Sequence, residues 1–240
     1  CIFAGPVFFL GTAQAERRPS GDPAVERRDF DAAIVAAIAD LNALIAGAQG
    51  EGAEMLAFQV ALLEDDALLA PARDLIAQGK SADIAWRKTV DAEIVGYDMS
   101  DDDYFRARAA DLKDMRDRVL RKLAGKGAHQ AALGAILIGD DVPPSLFLEA
   151  DWSQGGAIAL TQGSPSSHVA ILARARGVPM VVGLGDVAGD VAGDGHAEAA
   201  IDGAQGLLVL SPDAAQKRLW SEKAAGLAAR RSQEARFLGQ

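Results

Sequence analysis

The residues best equipped for chemistry lie close together, in Thr161-Gln162-Gly163-Ser164-Pro165-Ser166-Ser167-His168-Val169-Ala170-Ile171-Leu172-Ala173-Arg174. An apolar run, Ala157 to Leu160, precedes them, and the Gly, Ser and Pro that follow it predict a turn. A helical stretch then runs from Ser167 to Ala175 and is closed by Gly177 and Pro179. His168 therefore falls in the first turn of a helix that starts where a strand ends. Helix N-termini expose unpaired N–H groups and carry partial positive charge, so they attract phosphate. Ser166 and Ser167 have hydroxyls that can cap the helix or donate to phosphate oxygens. A neutral imidazole placed there is a competent nucleophile towards phosphorus. Arg174, by helical spacing alone, faces away from that first turn. Residue type and position leave a second reading open, in which His168 is an ordinary solvated residue at a helix start.

These groups need a scaffold. Ala135-Ile136-Leu137-Ile138, Ala157-Ile158-Ala159-Leu160 and Pro179-Met180-Val181-Val182 are short apolar runs bounded by Gly, Pro or Asp. They predict buried strands. Ala199 to Ile201, Asp202-Gly203 and Leu207 to Leu210 predict a hairpin. Strands alternating with a helix indicate an α/β domain. Upstream the pattern is helical. Phe30, Ile34, Ile38, Leu41 and Ile45 form an amphipathic stripe that ends at Gly47. Leu56, Val60 and Leu63 form a second stripe; a third segment, Ser81 to Val95, opens on Ser81 as N-cap and carries Trp86, Val90 and Ile94. Ser100-Asp101-Asp102-Asp103 offers a cap and acidic first turn for a helix bearing Phe105, Leu112, Met115 and Val119. The turn-rich Pro19-Ser20-Gly21-Asp22-Pro23 separates this bundle from the apolar N-terminal run Ile2 to Leu10. A lone strand cannot bury itself beside helices, so Ile2 to Leu10 is expected to complete the later sheet. Ala214 to Phe237 is rich in Ala, Lys, Arg and Glu and predicts a solvated tail or linker helix.

The expected architecture is an α/β domain with an inserted all-α helical bundle. Residues 1–23 and 125–211 form the first, 24–124 the second, and 212–240 a linker helix. The 240 residues carry 24 basic and 34 acidic side chains, a formal net charge of −10, and are 50 % apolar. That much apolar material excludes wholesale disorder, and the acidic balance argues against a nucleic-acid-binding role. It suits a basic protein partner. Cys1 is the one cysteine, which excludes a disulfide framework and a cysteine zinc site within the chain. A reducing cytoplasm is the simplest setting. A chain beginning with Cys reads as a processed product or a piece of something longer. Ile2 to Ala15 lacks a basic leader region and is too short for a membrane span, so a strand opening a domain is favoured over a secretory or lipoprotein signal. His129 and His196 stand in loops without ligand spacing, and no metal site is expected.

The segment from Gly163 to Arg174 resembles the phosphohistidine signature of the phosphoenolpyruvate-utilising enzymes, a G-G-x-T-S-H-type loop followed by A-I-x-A-R. Gly177-Val178-Pro179-Met180-Val181-Val182-Gly183 resembles the family's G-I-P-x-V-V-G. Leu62-Leu63-Glu64-Asp65-Asp66 is similar to the L-L-E-D-x of enzyme I of the sugar phosphotransferase system, and Tyr104 to Asp114 to its Y-x-x-x-R-A-A-D-x-x-D. The loop also resembles that of multiphosphoryl transfer proteins and of the phosphotransfer subunit of dihydroxyacetone kinase. The resemblance to the amino-terminal half of enzyme I covers nearly the whole chain. It implies a swivelling phosphohistidine domain with an HPr-binding bundle inserted in it. It makes His168 the phosphoryl-carrying residue, with Gly163, Ser164, Ser166, Ser167 and Arg174 expected to stabilise the phosphate. It maps the HPr-docking face onto Phe58, Gln59, Leu62, Leu63, Glu64, Asp65, Tyr104 and Arg108. Helical periodicity alone would make about half of such stripe residues core. Acids at Glu64 and Asp65 would meet a basic partner or simply be solvated.

The resemblance further implies a cytoplasmic phosphoenolpyruvate-protein phosphotransferase fragment that passes phosphoryl groups between His168 and a histidine of HPr. The phosphoenolpyruvate-binding domain, with its Mg2+, would be a separate C-terminal partner; no cofactor is expected in these 240 residues, and the fragment is expected to be monomeric, without nucleic-acid or membrane partners. The alternative is a non-catalytic docking or regulatory module that binds an HPr-like protein. Three departures stand out. Ser164 replaces the usual Gly or Ala, and Val169 replaces a small residue. In enzyme I a threonine after a Pro-Ser pair can bond the active histidine; here the stretch is Pro144-Ser145-Leu146-Phe147, with Ser145 a candidate substitute.

Overall fold

The computed structural model describes residues 2–10, 17–48, 50–99, 103–125, 134–185, 198–220, 222–223 and 225–226, with backbone alone for 51 and 103–107. His129 and His196, the Ser100-Asp101-Asp102 cap and the end of the expected tail helix lie outside these residues. The chain divides into two compact units: Cys1–Thr12, Gln130–Val142 and Ala150–Gln240 form one, Ala13–His129 and Pro143–Glu149 the other.

The first unit is built on a six-stranded sheet. Its strands are β1 (Ile2–Phe9), β2 (Ile136–Gly139), β3 (Ala157–Leu160), β4 (Met180–Val181), β5 (Glu198–Asp202) and β6 (Leu207–Leu210), in the order β4-β3-β2-β1-β5-β6. β1 to β4 pair in parallel, with Val7 opposite Ile136, Ile136 opposite Ala157 and Ile158 opposite Met180. β5 runs antiparallel to both β1 and β6. The N-terminal run thus joins the two halves of the sheet. Its Pro6 sits where the strand changes partner: residues 2–6 pair with β5 and residues 7–9 with β2. A proline has no N–H to give a ladder, and this is a place where one is tolerated. Gly5 is required beside it, since a Cβ would lie 2.8 Å from the Phe3 ring and 2.9 Å from the Gly134 carbonyl oxygen. β2 and β3 are buried at every position, as continuous apolar runs in a parallel sheet should be. One helix of this unit follows β3: α7 (His168–Arg176). The six helices before it belong to the second unit. Residues 214–220 are also helical, and Trp220 at their end is buried, so this stretch is not the wholly solvated helix its composition predicts.

The second unit comprises α1 (Pro23–Gly47), α2 (Glu51–Leu63), α3 (Asp66–Ala77), α4 (Ala82–Asp98), α5 (Asp103–Leu123) and α6 (Pro144–Glu149). Phe30, Leu41, Leu56, Leu63, Trp86, Leu112, Met115 and Val119 share its core. The Phe30 and Trp86 rings meet at 5.7 Å, and the Trp86 indole N–H donates to the Arg116 carbonyl at 3.2 Å. α1 is long and apolar enough to cross a membrane by length and composition. Its Phe30, Ala37 and Leu41 are instead fully buried in this core.

Four expectations change here. α3 and α6 are helices the stripe pattern passes over. α3 carries Pro71 within it, and α6 has six residues, too few to display a period. Residues 143–149 therefore leave the α/β domain to which the sequence assigns them, because Asp114 of α5 holds Ser145 and Arg118 pairs with Glu149. Residues 17–23 likewise belong with the helices: the Arg17 guanidinium and the Ser20 hydroxyl both donate to Glu26. Ser81 occupies the cap position of α4, yet its hydroxyl makes no capping bond; the Ala82 N–H donates to Glu26 at 2.8 Å instead.

Candidate phosphohistidine site

The segment that carries His168 starts where β3 stops. Thr161 is stitched to the end of β2: its N–H donates to the Gly139 carbonyl at 3.0 Å and its hydroxyl to Asp140 at 2.8 Å. The Gln162 N–H donates to the Asp140 carbonyl at 3.2 Å, and the Gly185 N–H, past β4, to the Thr161 carbonyl at 3.0 Å. The loop thus leaves the carboxyl ends of three parallel strands, the usual place for ligands in such sheets. The sequence reading passes over Asp140; a Thr and an Asp at the ends of adjacent strands are its signal. Gly163 then turns the chain at a φ of +93°, which favours glycine.

The Ser167 N–H donates to the Ser164 carbonyl at 3.0 Å, closing a turn around Pro165 and Ser166. Ser167 is the N-cap of α7, and its hydroxyl oxygen accepts the Ala170 N–H at 3.3 Å. His168 is the first helical residue and is half-buried. Val169, Ala170 and Ala173 bury the opposite face, so Val169 in place of a smaller residue adds to the core. Gly177 ends the helix in the left-handed conformation at φ 69°, with the Val178 N–H donating to Ala173 at 2.8 Å.

The expectation that Arg174 faces away needs correcting. Its Nη2 donates to the Pro165 carbonyl at 3.3 Å, so the long side chain brings the guanidinium back to the loop. Ser164, Ser166 and Arg174 are exposed. Gly163, Ser164, Ser166, Ser167, His168 and Arg174 therefore belong to one strand-loop-helix passage, open to solvent on the loop side.

The predicted docking residues divide. Glu64 and Asp65 are exposed at the α2–α3 joint, where the Asp65 carboxylate caps α3 by accepting the Ala67 N–H at 2.8 Å. Phe58 and Leu62 are half-buried, and the Arg108 guanidinium lies 4.9 Å from the Phe58 ring centroid while donating to Asp111 at 3.0 Å. Gln59 and Leu63 are 0 % and 1 % exposed, which makes them core rather than surface. Gln59 donates to Asp114 at 3.3 Å. Tyr104 lies on α5 with its side chain outside the described residues. Ser145, the candidate substitute for the missing threonine, is fully buried, and its hydroxyl donates to Asp114 at 2.6 Å. That hydroxyl already has its acceptor in the helical unit. Among the described residues, no three of His, Cys, Asp and Glu gather to hold a metal.

The sequence as a whole matches the family of phosphoenolpyruvate-utilising enzymes. Residues 2–108 match the model of the N-terminal region of these enzymes, and residues 132–206 match that of their mobile domain; the chain belongs to this family. Within it, the relatives are enzyme I and multiphosphoryl transfer proteins. The chain is 35 % identical over 179 residues to a multiphosphoryl transfer protein of Rhodobacter capsulatus, covering 72 % of this chain and 21 % of that one. It is 33 % identical over 233 residues to a phosphoenolpyruvate-protein phosphotransferase of Streptomyces coelicolor, covering 93 % and 41 %. It is 33 % identical over 189 residues to the phosphoryl donor subunit of the phosphoenolpyruvate-dependent dihydroxyacetone kinase of Pantoea ananatis, covering 75 % and 40 %. The chain thus spans less than half the length of these relatives. A solution structure of enzyme I superposes with a TM-score of 0.72 at 23 % identity, covering 95 % of this chain and 96 % of that one. The N-terminal domain of a nitrogen-type enzyme I gives 0.65 at 23 % identity, covering 94 % and 96 %. The chain shares their fold.

Proposed function

We propose that this chain is a phosphoryl carrier of a phosphoenolpyruvate-dependent sugar phosphotransferase system. It accepts a phosphoryl group on His168 and exchanges it with a histidine of an HPr-like protein. The observation that carries this reading is the position of His168: the first residue of a capped helix, at the carboxyl ends of parallel strands. In this reading the α/β unit is the swivelling phosphohistidine domain and the helical unit binds HPr. The setting is the cytoplasm.

Transfer between imidazoles needs in-line approach and stabilised equatorial oxygens. One ring nitrogen of His168 bonds to phosphorus as the donor's N–P bond breaks. The electron pair of the broken bond stays on the donor imidazole, and the reverse step returns the group. The N-terminus of α7, the hydroxyls of Ser166 and Ser167 and the Arg174 guanidinium face the developing charge. Glu64 and Asp65, exposed beside Phe58 and Leu62, give the partner an acidic rim around an apolar centre.

The test is a labelling experiment with the purified chain. Phospho-HPr should give acid-labile phosphate on the chain, and phosphoenolpyruvate with Mg2+ should give none without the C-terminal phosphoenolpyruvate-binding domain. Label on a His168→Ala variant would overturn the assignment. Binding of HPr with no phosphate adduct by intact mass would replace it with a docking module.

A further inference from the structure

We infer that Ser164 is a positioning residue for phosphoryl transfer, acting through Ser166. This rests on the phosphohistidine reading above and goes beyond it. Ser164 stands where the phosphohistidine signature usually has Gly or Ala, so its hydroxyl is an addition to that signature. The Ser164 and Ser166 hydroxyl oxygens lie 2.8 Å apart, and the Ser166 N–H donates to the Ser164 hydroxyl oxygen at 3.2 Å.

Either hydroxyl of this pair can be the donor, and a phosphoryl acceptor selects one direction. An N–H can only donate, so the Ser164 oxygen is an acceptor in one of the two contacts. Its own proton is then available for the other, donated to the Ser166 oxygen. A phosphoryl oxygen can only accept, so it takes the Ser166 proton, and the Ser164 proton then completes the pair. A hydroxyl that accepts one hydrogen bond donates a stronger one, because a chain of such bonds polarises. Ser167 differs: its oxygen is engaged by the Ala170 N–H of the helix cap. On the far side of the turn the Arg174 guanidinium holds the Pro165 carbonyl at 3.3 Å, so the residue between the two serines is fixed from outside the loop. Ser164 therefore sets where the Ser166 hydroxyl points, and Ser166 is the group that meets a phosphoryl oxygen on His168.

The experiment uses the 240-residue chain and phosphoramidate as a small N–P donor, so that no protein partner is needed. Phosphohistidine lifetime and the 31P shift are read for wild type, Ser164→Ala, Ser166→Ala and the double variant, with thermal melts alongside. Ser164→Ala is expected to shorten the lifetime about fivefold, the factor carried by one net hydrogen bond of roughly 1 kcal/mol, without moving the melt. Ser166→Ala is expected to shorten it at least as much, the double variant to match Ser166→Ala, and Ser164→Thr to restore it. An unchanged lifetime in Ser164→Ala, or effects that multiply in the double variant, would overturn this inference and leave the phosphohistidine reading standing. Failure of the wild-type chain to take label from either phosphoramidate or phospho-HPr would overturn both.

Discussion

The helical unit and the loop around His168 use the same residue types in opposite ways. In the helices, charged groups are buried and matched. Glu26, Asp111, Asp114 and Arg118 are each at most 2 % exposed. Asp114 accepts from Gln59 and from both the N–H and the hydroxyl of Ser145. Arg118 pairs with Glu149 and reaches Asp40 at 3.4 Å. Around His168, Ser164, Ser166 and Arg174 are exposed, with hydrogen bonds to one another's turn. A buried polar group that loses its partner costs about 1–3 kcal/mol, so the first arrangement specifies a fold and resists change. The second keeps donors at the surface for a visitor, and its residues can be changed with the fold intact.

That contrast is broken most directly at His168. His168→Gln should lose all acid-labile phosphate while the thermal melt stays within about 0.5 kcal/mol of wild type, the range for surface substitutions. A large loss of stability would place His168 with the structural groups instead.

Glu26 is the sharpest case on the other side. Burial opposes its ionisation, but the N–H of Ala82, the Arg17 guanidinium and the N–H and hydroxyl of Ser20 outweigh that and hold its carboxyl down at about 2, from 4.5. A carboxyl depressed in the folded state contributes stability that is complete above the unfolded value and is lost as pH falls. The contribution should thus be whole above about pH 5 and disappear towards pH 2, and the shift corresponds to on the order of 3 kcal/mol. Glu26→Gln should lower stability by that amount at pH 7 in urea unfolding and flatten its pH dependence between pH 5 and 2. A parallel, unshifted curve would mean that the carboxylate is not the hub of this corner. Asp114→Ala comes next. It strips three donors of one acceptor and should cost about 2–3 kcal/mol, with faster amide exchange confined first to 144–149. Phosphoramidate labelling of His168 should survive it.

The same contrast explains what could be read from the sequence. The loop was legible because its signals are local: an apolar strand, Gly163 at a turn, Ser167 as cap, His168 next and Gly177 at the end. The strand at Ile2–Phe9 was placed in the sheet because a lone apolar strand has few other ways to bury itself. The buried network was not legible, because its partners are far apart in sequence. Nothing local joins Ser145 to Asp114 or Glu26 to Ala82, so the pattern does not reveal α6, and the cap it expects from Ser81 is provided by Glu26. Gln59 and Leu63 failed for a related reason: an amphipathic stripe gives the face but not which members reach solvent. Arg174 is expected at the loop by the resemblance but not by helical spacing, because spacing places Cα atoms while a long side chain can return nine residues to the Pro165 carbonyl.

The smallest effect belongs to Ser167, the one residue standing on both sides of the contrast. Its oxygen accepts the Ala170 N–H, a structural task, while its hydroxyl proton can serve a phosphoryl group. The two tasks need different atoms and can be separated. Ser167→Ala removes both and should cost about 1 kcal/mol of stability, as lost N-caps do. Ser167→Asp keeps a capping oxygen, so it should hold the melt within a few tenths of a kcal/mol of wild type. Yet it places a negative charge without a donor beside His168, and phosphoramidate labelling should fall further than in Ser167→Ala. Equal labelling in the two variants would mean that the Ser167 side chain serves the helix alone and that the anion is met by Ser166 and the helix N–H groups.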